Sequence, residues 1–280
     1  RGRPEAARRG PRRGALAQCL TRHRGRKRMA NLPWRPWRAA LPGALLCASL
    51  VLADSFGLNQ KLLGMVAEQY GPTAKQRLLQ WEGLGARAAA LDDPAKLALV
   101  NTFFNRLPNL EDIDHWGRND YWATPVELLA SNGGDCEDFA VAKYFTLRYL
   151  GVAPQRLRIT YVKAFLRARG LIQPHMVLAY YATPDAEPLI LDNTVPEIRP
   201  AAARGDLVPV YSFNGDGLWL ARERNRGRPL EDSGSTRLWL DLMQRMQQED
   251  ISGRPSRSAA LPQPRVLRDN DRISSDRSPP

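Results

Sequence analysis

The hydrophobic period of this chain changes near Gly151, and that change narrows the folds open to it. Before it, apolar residues recur at spacings of three and four in "NQKLLGMVAEQYG", "TAKQRLLQWEGLGARAAAL" and "DDPAKLALVNTFFNRLP". In the last of these Asp93 is the expected N-cap, Pro94 the first helical residue, and Leu97, Val100 and Phe104 share a face. After the change come "LRITYVKAF" (157–165), "HMVLAYYAT" (175–183) and "PLILDNTV" (188–195), β-rich runs separated by short polar or proline-containing turns. "YSFNGDGLWLAR" is a candidate for one more strand, and a last helix is expected over 235–249. A run of helices followed by consecutive antiparallel strands is an α+β arrangement.

Where the two patterns meet, the start signals are strong. "TPVELLAS" pairs Thr124 with Glu127 as a capping box around Pro125. "SNGGDCEDFAVAKYFTLRYLG" then opens a broadly apolar helix that Gly151 ends, with Asp135 the natural N-cap and Cys136 in the first turn. A thiol reacts as thiolate, and the free N–H groups and dipole of a helix N-terminus favour that anion. The flanking acids Asp135 and Glu137 work the other way. The Gly133-Gly134 pair projects no side chain, so another segment can approach closely.

The ends of the chain read differently. Thirteen of the 41 basic residues and one of the 29 acidic ones, Glu5, fall within 1–53, so this segment carries the whole formal net charge of +12. The rest is neutral, and no nucleic-acid partner is expected. Met29 reads as a translation start, with 1–28 an upstream, disordered extension, a genuine basic arm being the alternative. From Met29, Arg35 and Arg38 precede an apolar run over 39–53 that ends in small residues, the pattern of a signal peptide (29–53) cleaved after Ala53. That run is shorter than the roughly 20 apolar residues a membrane span needs, so no stable membrane insertion is expected once the signal is cleaved. The domain is therefore expected over 54–250, followed by an Arg-, Ser- and Pro-rich disordered tail over 251–280. Cys19 and Cys47 fall in the segment expected to be lost. Cys136 is then a single thiol with no internal disulfide partner.

A base for that thiol has to come from few residues. His175 opens an expected strand and Asp192 closes the next, and antiparallel pairing brings the start of one beside the end of the other. Each residue taken singly has an ordinary reading: a core cysteine, a surface histidine, a turn-forming aspartate. Taken together, on a helix start, a strand start and a strand end, they have the roles of nucleophile, base and base-orienter. His115, in "EDIDHWGRND" upstream of Cys136, is read as structural, and Tyr121 and Trp122 are left unassigned between cleft and core.

"WGRNDYWATPVELLASNGGDCEDFAVAKYFTLRYLG", "HMVLAYY" and "LDN" resemble the bacterial transglutaminase-like cysteine proteinases, over about 59–220 of the chain and most specifically at "GGDCEDFA". The resemblance implies a papain- and transglutaminase-like core, with Cys136 at a helix N-terminus packed on an antiparallel sheet and a triad of Cys136, His175 and Asp192. It implies a calcium-dependent periplasmic endopeptidase that clips a large cell-surface adhesin near its N-terminus, at a paired-alanine site, releasing cells from a biofilm. The periplasmic domain of a cyclic-di-GMP-sensing inner-membrane receptor is the implied inhibitor. Asp135 and Glu137 are the implied Ca²⁺ ligands. Asp120 is added from the preceding loop, and Asn119 and Asp138 are further oxygen donors within reach; a helix-capping role for Asp135 and Asp138 is the plain alternative. One oxyanion donor is expected from the Cys136 backbone N–H, the second being open. An acyl transferase on the same triad and a non-catalytic binding module are the rival functions.

Overall fold

The computed structural model describes residues 57–166, 170–215, 217–220, 234–249 and 261–265. The upstream extension (1–28), the signal peptide (29–53) and most of the 251–280 tail lie outside them.

Helix α1 (Gln60–Tyr70) starts on Asn59, whose side chain accepts from Leu62 N at 2.7 Å, and buries Leu62, Leu63 and Val66. Gly71, at φ 86, turns the chain into α2 (Pro72–Glu82), with its proline in the first turn and Ala74, Leu78 and Trp81 buried. A short α3 (Leu84–Ala88) leads to α4 (Asp93–Phe104), which buries Leu97, Val100 and Phe104 as the spacing requires. The N-cap of α4 is Asp92, not the expected Asp93. Asp92 is extended and its Oδ1 accepts from Ala95 N–H at 3.0 Å, whereas Asp93 is already helical and pairs with Arg156 at 2.8 Å and Tyr180 Oη at 2.9 Å.

Next come α5 (Asp112–His115), α6 (Pro125–Ser131) and α7 (Cys136–Tyr149). The Thr124–Glu127 capping box is formed. Every residue from Asp138 to Leu147 is buried, so α7 is enclosed on all sides and forms the axis of the fold. Trp81 Nε1 donates to Thr146 Oγ1 at 2.8 Å and ties α2 to it. Burial of each large apolar side chain on this helix contributes about 1.5–3 kcal/mol.

The second half is a sheet of β1 (Leu157–Leu166), β2 (Leu171–Tyr180), β3 (Leu189–Leu191), β4 (Arg199–Pro200), β5 (Leu207–Asn214) and β6 (Gly217–Leu220). Its order is β4-β3-β2-β1-β5-β6, all antiparallel among the described pairings. Helix and sheet therefore form the expected α+β layers, with α7 packed on β2 and β1. Met176, Leu178 and Tyr180 of β2 join the main core under the helices. Val177 and Ala179 join a smaller cluster with Val162 and Ile190 on the other face.

Strand β2 begins four residues earlier than expected, at Leu171, so His175 lies inside the strand and opposite Val162 of β1. Pro174 marks the expected start because it cannot donate to a ladder. It is tolerated because β3 pairs only with 178–180, which leaves 171–174 at an edge.

Helix α8 (Gly234–Glu249) returns to the helical layer through buried Leu242 and Met246. Residues 261–265 depart from the disordered tail expected there: Leu261 is buried in the main core, and Tyr70 Oη donates to the Pro262 carbonyl. No helix among the described residues is long and apolar enough to cross a membrane.

Candidate active site and carboxylate cluster

Cys136 is the first residue of α7, as its sequence position demands, and is half-buried against the main core. Burial drives its thiol pKa well above the usual range, and Glu137 and Asp135 push the same way. The thiol donates to Glu137 Oε2 at 3.0 Å. Met176, the residue after His175 on β2, opposes the shift through its backbone N–H. The sulfur therefore sits against the strand that carries the histidine, with its proton committed to Glu137.

His175 and Asp192 are brought together as expected, though not through strand ends. Leu178 pairs with Leu191, β3 ends there, and Asp192 leaves the strand with its carboxylate turned back to the His175 ring. The Nε2–Oδ1 distance is 2.9 Å, and both side chains are buried. Asp192 Oδ1 also accepts from Thr194 N and Thr194 Oγ1, each at 2.8 Å, and Oδ2 accepts from Arg204 Nη2 at 2.9 Å. Burial by itself would raise the Asp192 pKa. The hydrogen bond and charge of His175, the Thr194 N–H and Arg204 outweigh it, and Asp192 is held well below the usual carboxylate range. With Nε2 occupied by the carboxylate, Nδ1 is the ring nitrogen left to take a proton.

Around the cysteine lies a cluster of five carboxylates. Oxygens of Asp112, Asp120 and Glu137 fall within 4.8 Å of one another, as do those of Asp112, Asp135 and Asp138, and Asp135 and Glu137 form a third such group with the Cys136 sulfur. All three acids expected as ligands, Asp135, Glu137 and Asp120, are thus in the cluster, and Asp138 is a fully buried member of it. Asp112 was not anticipated. It arrives from α5 in "EDIDHWGRND", where only the tertiary fold shows that it turns inward, and Tyr121 N–H fixes its Oδ2 at 2.5 Å.

Among the described residues, Asp112 Oδ1 and Asp135 Oδ1 of the cluster are buried without a hydrogen-bond partner. Burial, opposed by Tyr121 N–H and helped by the neighbouring acids, pushes Asp112 up to about 7, and burial with Asp138 and Glu137 pushes Asp135 up to about 11. Asp138 is also raised by burial, although Ala123 N donates to it at 2.6 Å and Asp135 N at 3.3 Å. The Asp135–Asp138 contact is the helix cap foreseen as the alternative role, and it coexists with membership of the cluster. Carboxylate oxygens, two of them buried and unpaired, are the donor set of a hard divalent cation such as Ca²⁺.

His115 stands apart from this chemistry, buried with its ring 4.7 Å from that of Trp116. Tyr121 and Trp122 are core residues, the latter stacked on Phe213 at 5.6 Å. The glycine pair admits the chain's own 108–110 segment: Leu110 N donates to Gly134 O at 2.8 Å, and a Cβ on Gly133 would lie 2.8 Å from the Pro108 carbonyl.

A family model described as bacterial transglutaminase-like cysteine proteinase (BTLCP) matches residues 85–212. Among solved structures, the chain is similar to calcium-bound Legionella pneumophila LapG, at 42% identity, covering 66% of this chain and 97% of that one with a TM-score of 0.56. EGTA-treated Legionella pneumophila LapG matches at 41% identity over 68% of this chain and 99% of that one, with a TM-score of 0.57. No curated protein sequence matches the chain.

Proposed function

The chain belongs to the bacterial transglutaminase-like cysteine proteinases, and from that premise we propose that it is an endopeptidase using Cys136 as nucleophile, His175 as base and Asp192 as the group that orients His175. The observation that carries this reading is the buried His175–Asp192 pair at 2.9 Å, next along β2 from the Met176 N–H that faces the Cys136 sulfur.

In the working state the thiol turns from Glu137 and gives its proton to His175 Nδ1. The Cys136 sulfur attacks the scissile carbonyl carbon, and the oxyanion takes the Cys136 backbone N–H as one donor. His175 then returns the proton to the leaving amine, the C–N bond breaks, and a thioester remains on Cys136. Water, deprotonated by His175, resolves it to a carboxylic acid and free thiol. Asp192 stays ionised throughout and offsets the charge on the imidazolium.

Calcium fits the carboxylate cluster, and Asp112, Asp120, Asp135, Glu137 and Asp138 are the residues that would hold it. Bound there it would supply positive charge next to the thiol and so lower the cost of the thiolate, with Glu137 among the residues that would hold it. The calcium-bound and EGTA-treated forms of the Legionella relative support the choice of ion. The family resemblance supports the rest: a periplasmic location, a large surface adhesin cut near its N-terminus, and restraint by the periplasmic domain of a cyclic-di-GMP receptor.

The test is to incubate the protein with peptides spanning paired-alanine sites, with and without an amine acceptor, and to weigh the products. Hydrolysis at one peptide bond supports the endopeptidase, whereas incorporation of the amine in preference to water makes the chain an acyl transferase.

A further inference from the structure

Asp192 is the most heavily engaged acid of the site. Its side chain is fully buried, so each oxygen depends on protein donors. Oδ1 is shared by His175 Nε2 and both Thr194 donors; among the described residues the hydrogen-bond donor at Oδ2 is Arg204. Among the described residues, His175 from β2, Lys143 from α7, Arg204 from the turn before β5 and Asp206 behind Arg204 face this carboxylate. Of these, Arg204 is the permanent cation and is joined to the carboxylate by a hydrogen bond, whereas burial lowers the Lys143 pKa to about 7.

Arg204 is itself fixed. It is 4% exposed, its Nε donates to Asp206 Oδ1 at 2.9 Å, and its Nη2 donates to Asp206 Oδ2 at 2.7 Å, the fork geometry that suits a guanidinium. The turn carrying it is closed by Arg204 N to Ala201 O and Leu207 N to Arg204 O, each 2.9 Å, and Phe165 N of β1 donates to Asp206 O at 2.8 Å. The sheet thus sets the turn, the turn sets the guanidinium, and the guanidinium sets which oxygen of Asp192 remains for the histidine.

We propose that Arg204, clamped by Asp206, is a positioning residue of the protease: it pins Asp192 Oδ2 so that Oδ1 holds the His175 ring with Nδ1 free to act as base. This rests on the triad assigned above. A carboxylate that lost its Oδ2 donor would keep a buried unpaired oxygen, and rotating to satisfy it would release His175.

Two readouts separate the proposal from the triad itself. The first is kinetics of peptide cleavage by Arg204→Gln, Arg204→Lys and Asp206→Asn, each confirmed folded by circular dichroism. Arg204→Gln is expected to lower kcat about 10- to 100-fold with KM within about twofold, the size typical of losing a group that orients another. Arg204→Lys is expected to recover part of the loss, and Asp206→Asn to show a smaller loss of the same kind. The second, needing no turnover, is the proton NMR signal of the His175 Nε2–H in the Cys136→Ala protein. It is expected downfield and slowly exchanging there, and broadened away when Arg204→Gln or Asp206→Asn is added. If Arg204→Gln does not fold, Arg204→Lys and Asp206→Asn decide. Wild-type kcat together with an unchanged Nε2–H signal in the folded variants overturns the role of Arg204. Cleavage by Cys136→Ala would instead overturn the triad and leave the NMR result standing.

Discussion

Gly134 and Asp138 are in such close contact that a methyl group on the glycine would overlap the carboxylate, lying 2.9 Å from Asp138 Cβ and closer still to Oδ2. The absence of a side chain at 134 therefore makes room for the Asp138 carboxylate in the acidic cluster, within the first turn of α7. Gly134→Ala must displace Asp138. We expect it to cost about 1–3 kcal/mol of stability, as overpacking does, and to weaken calcium binding, measured by urea unfolding and by calorimetry. Wild-type calcium affinity in this variant would show that Asp138 is not needed at that position.

Asp112 gives a prediction whose sign depends on the metal. Its folded pKa, pushed up to about 7 by burial and neighbouring acids, lies above the unfolded value of 3.8. The contribution to stability is present in full below the unfolded pKa and is lost as pH rises through about 7. In EGTA the protein should therefore lose stability between about pH 4 and 7, and Asp112→Asn should flatten that slope and be the more stable protein at pH 7. In calcium the order should reverse, with affinity down about tenfold or more, because a ligand charge has been removed. Urea midpoints across pH in both media check both halves.

Lys143, on α7 and 1% exposed, is lowered to about 7 by burial, against the pull of Asp192. Between about 7 and the unfolded value of 10.5 the folded chain has released this proton and the unfolded chain has kept it. Unfolding then takes up protons, so this residue's contribution to stability rises with pH across that window. Lys143→Met, similar in volume, should remove that rise, which the difference in urea midpoint between the two proteins at pH 7 and pH 9.5 will show. An identical pH dependence in both would mean that Lys143 is charged and satisfied in the fold.

Features encoded by near neighbours could be read from the sequence, and features assembled across the fold could not. Thr124 with Glu127, and Cys136 after Asp135, declare a helix start within four residues, and both starts are where the pattern puts them. Asp93 misled because two adjacent aspartates offer the same chemistry, and only the backbone of Asp92 decides which one caps. Pro174 hid the first part of β2, since its tolerance depends on β3 being too short to pair there. Asp112 and Arg204 carried no local signal. One is drawn in by Tyr121 N–H and the other by Asp192 and Asp206, and neither relation has a sequence spacing that announces it. Leu261 looked like part of a polar tail because a single apolar residue has no period, yet it is buried in the core.

The most direct test of the account is the rate of peptide cleavage in calcium by the wild-type chain and by Cys136→Ala, His175→Ala and Asp192→Asn, with folding of each checked by circular dichroism. Because the three residues act as one unit, Cys136→Ala should give no detectable cleavage and His175→Ala a loss of about 10³-fold or more. Asp192→Asn, which keeps the nucleophile and changes only charge and tautomer, should be less damaging than Cys136→Ala, with a loss on the order of 10²–10⁴-fold. A folded Cys136→Ala protein that cuts the peptide at the wild-type rate would contradict the account.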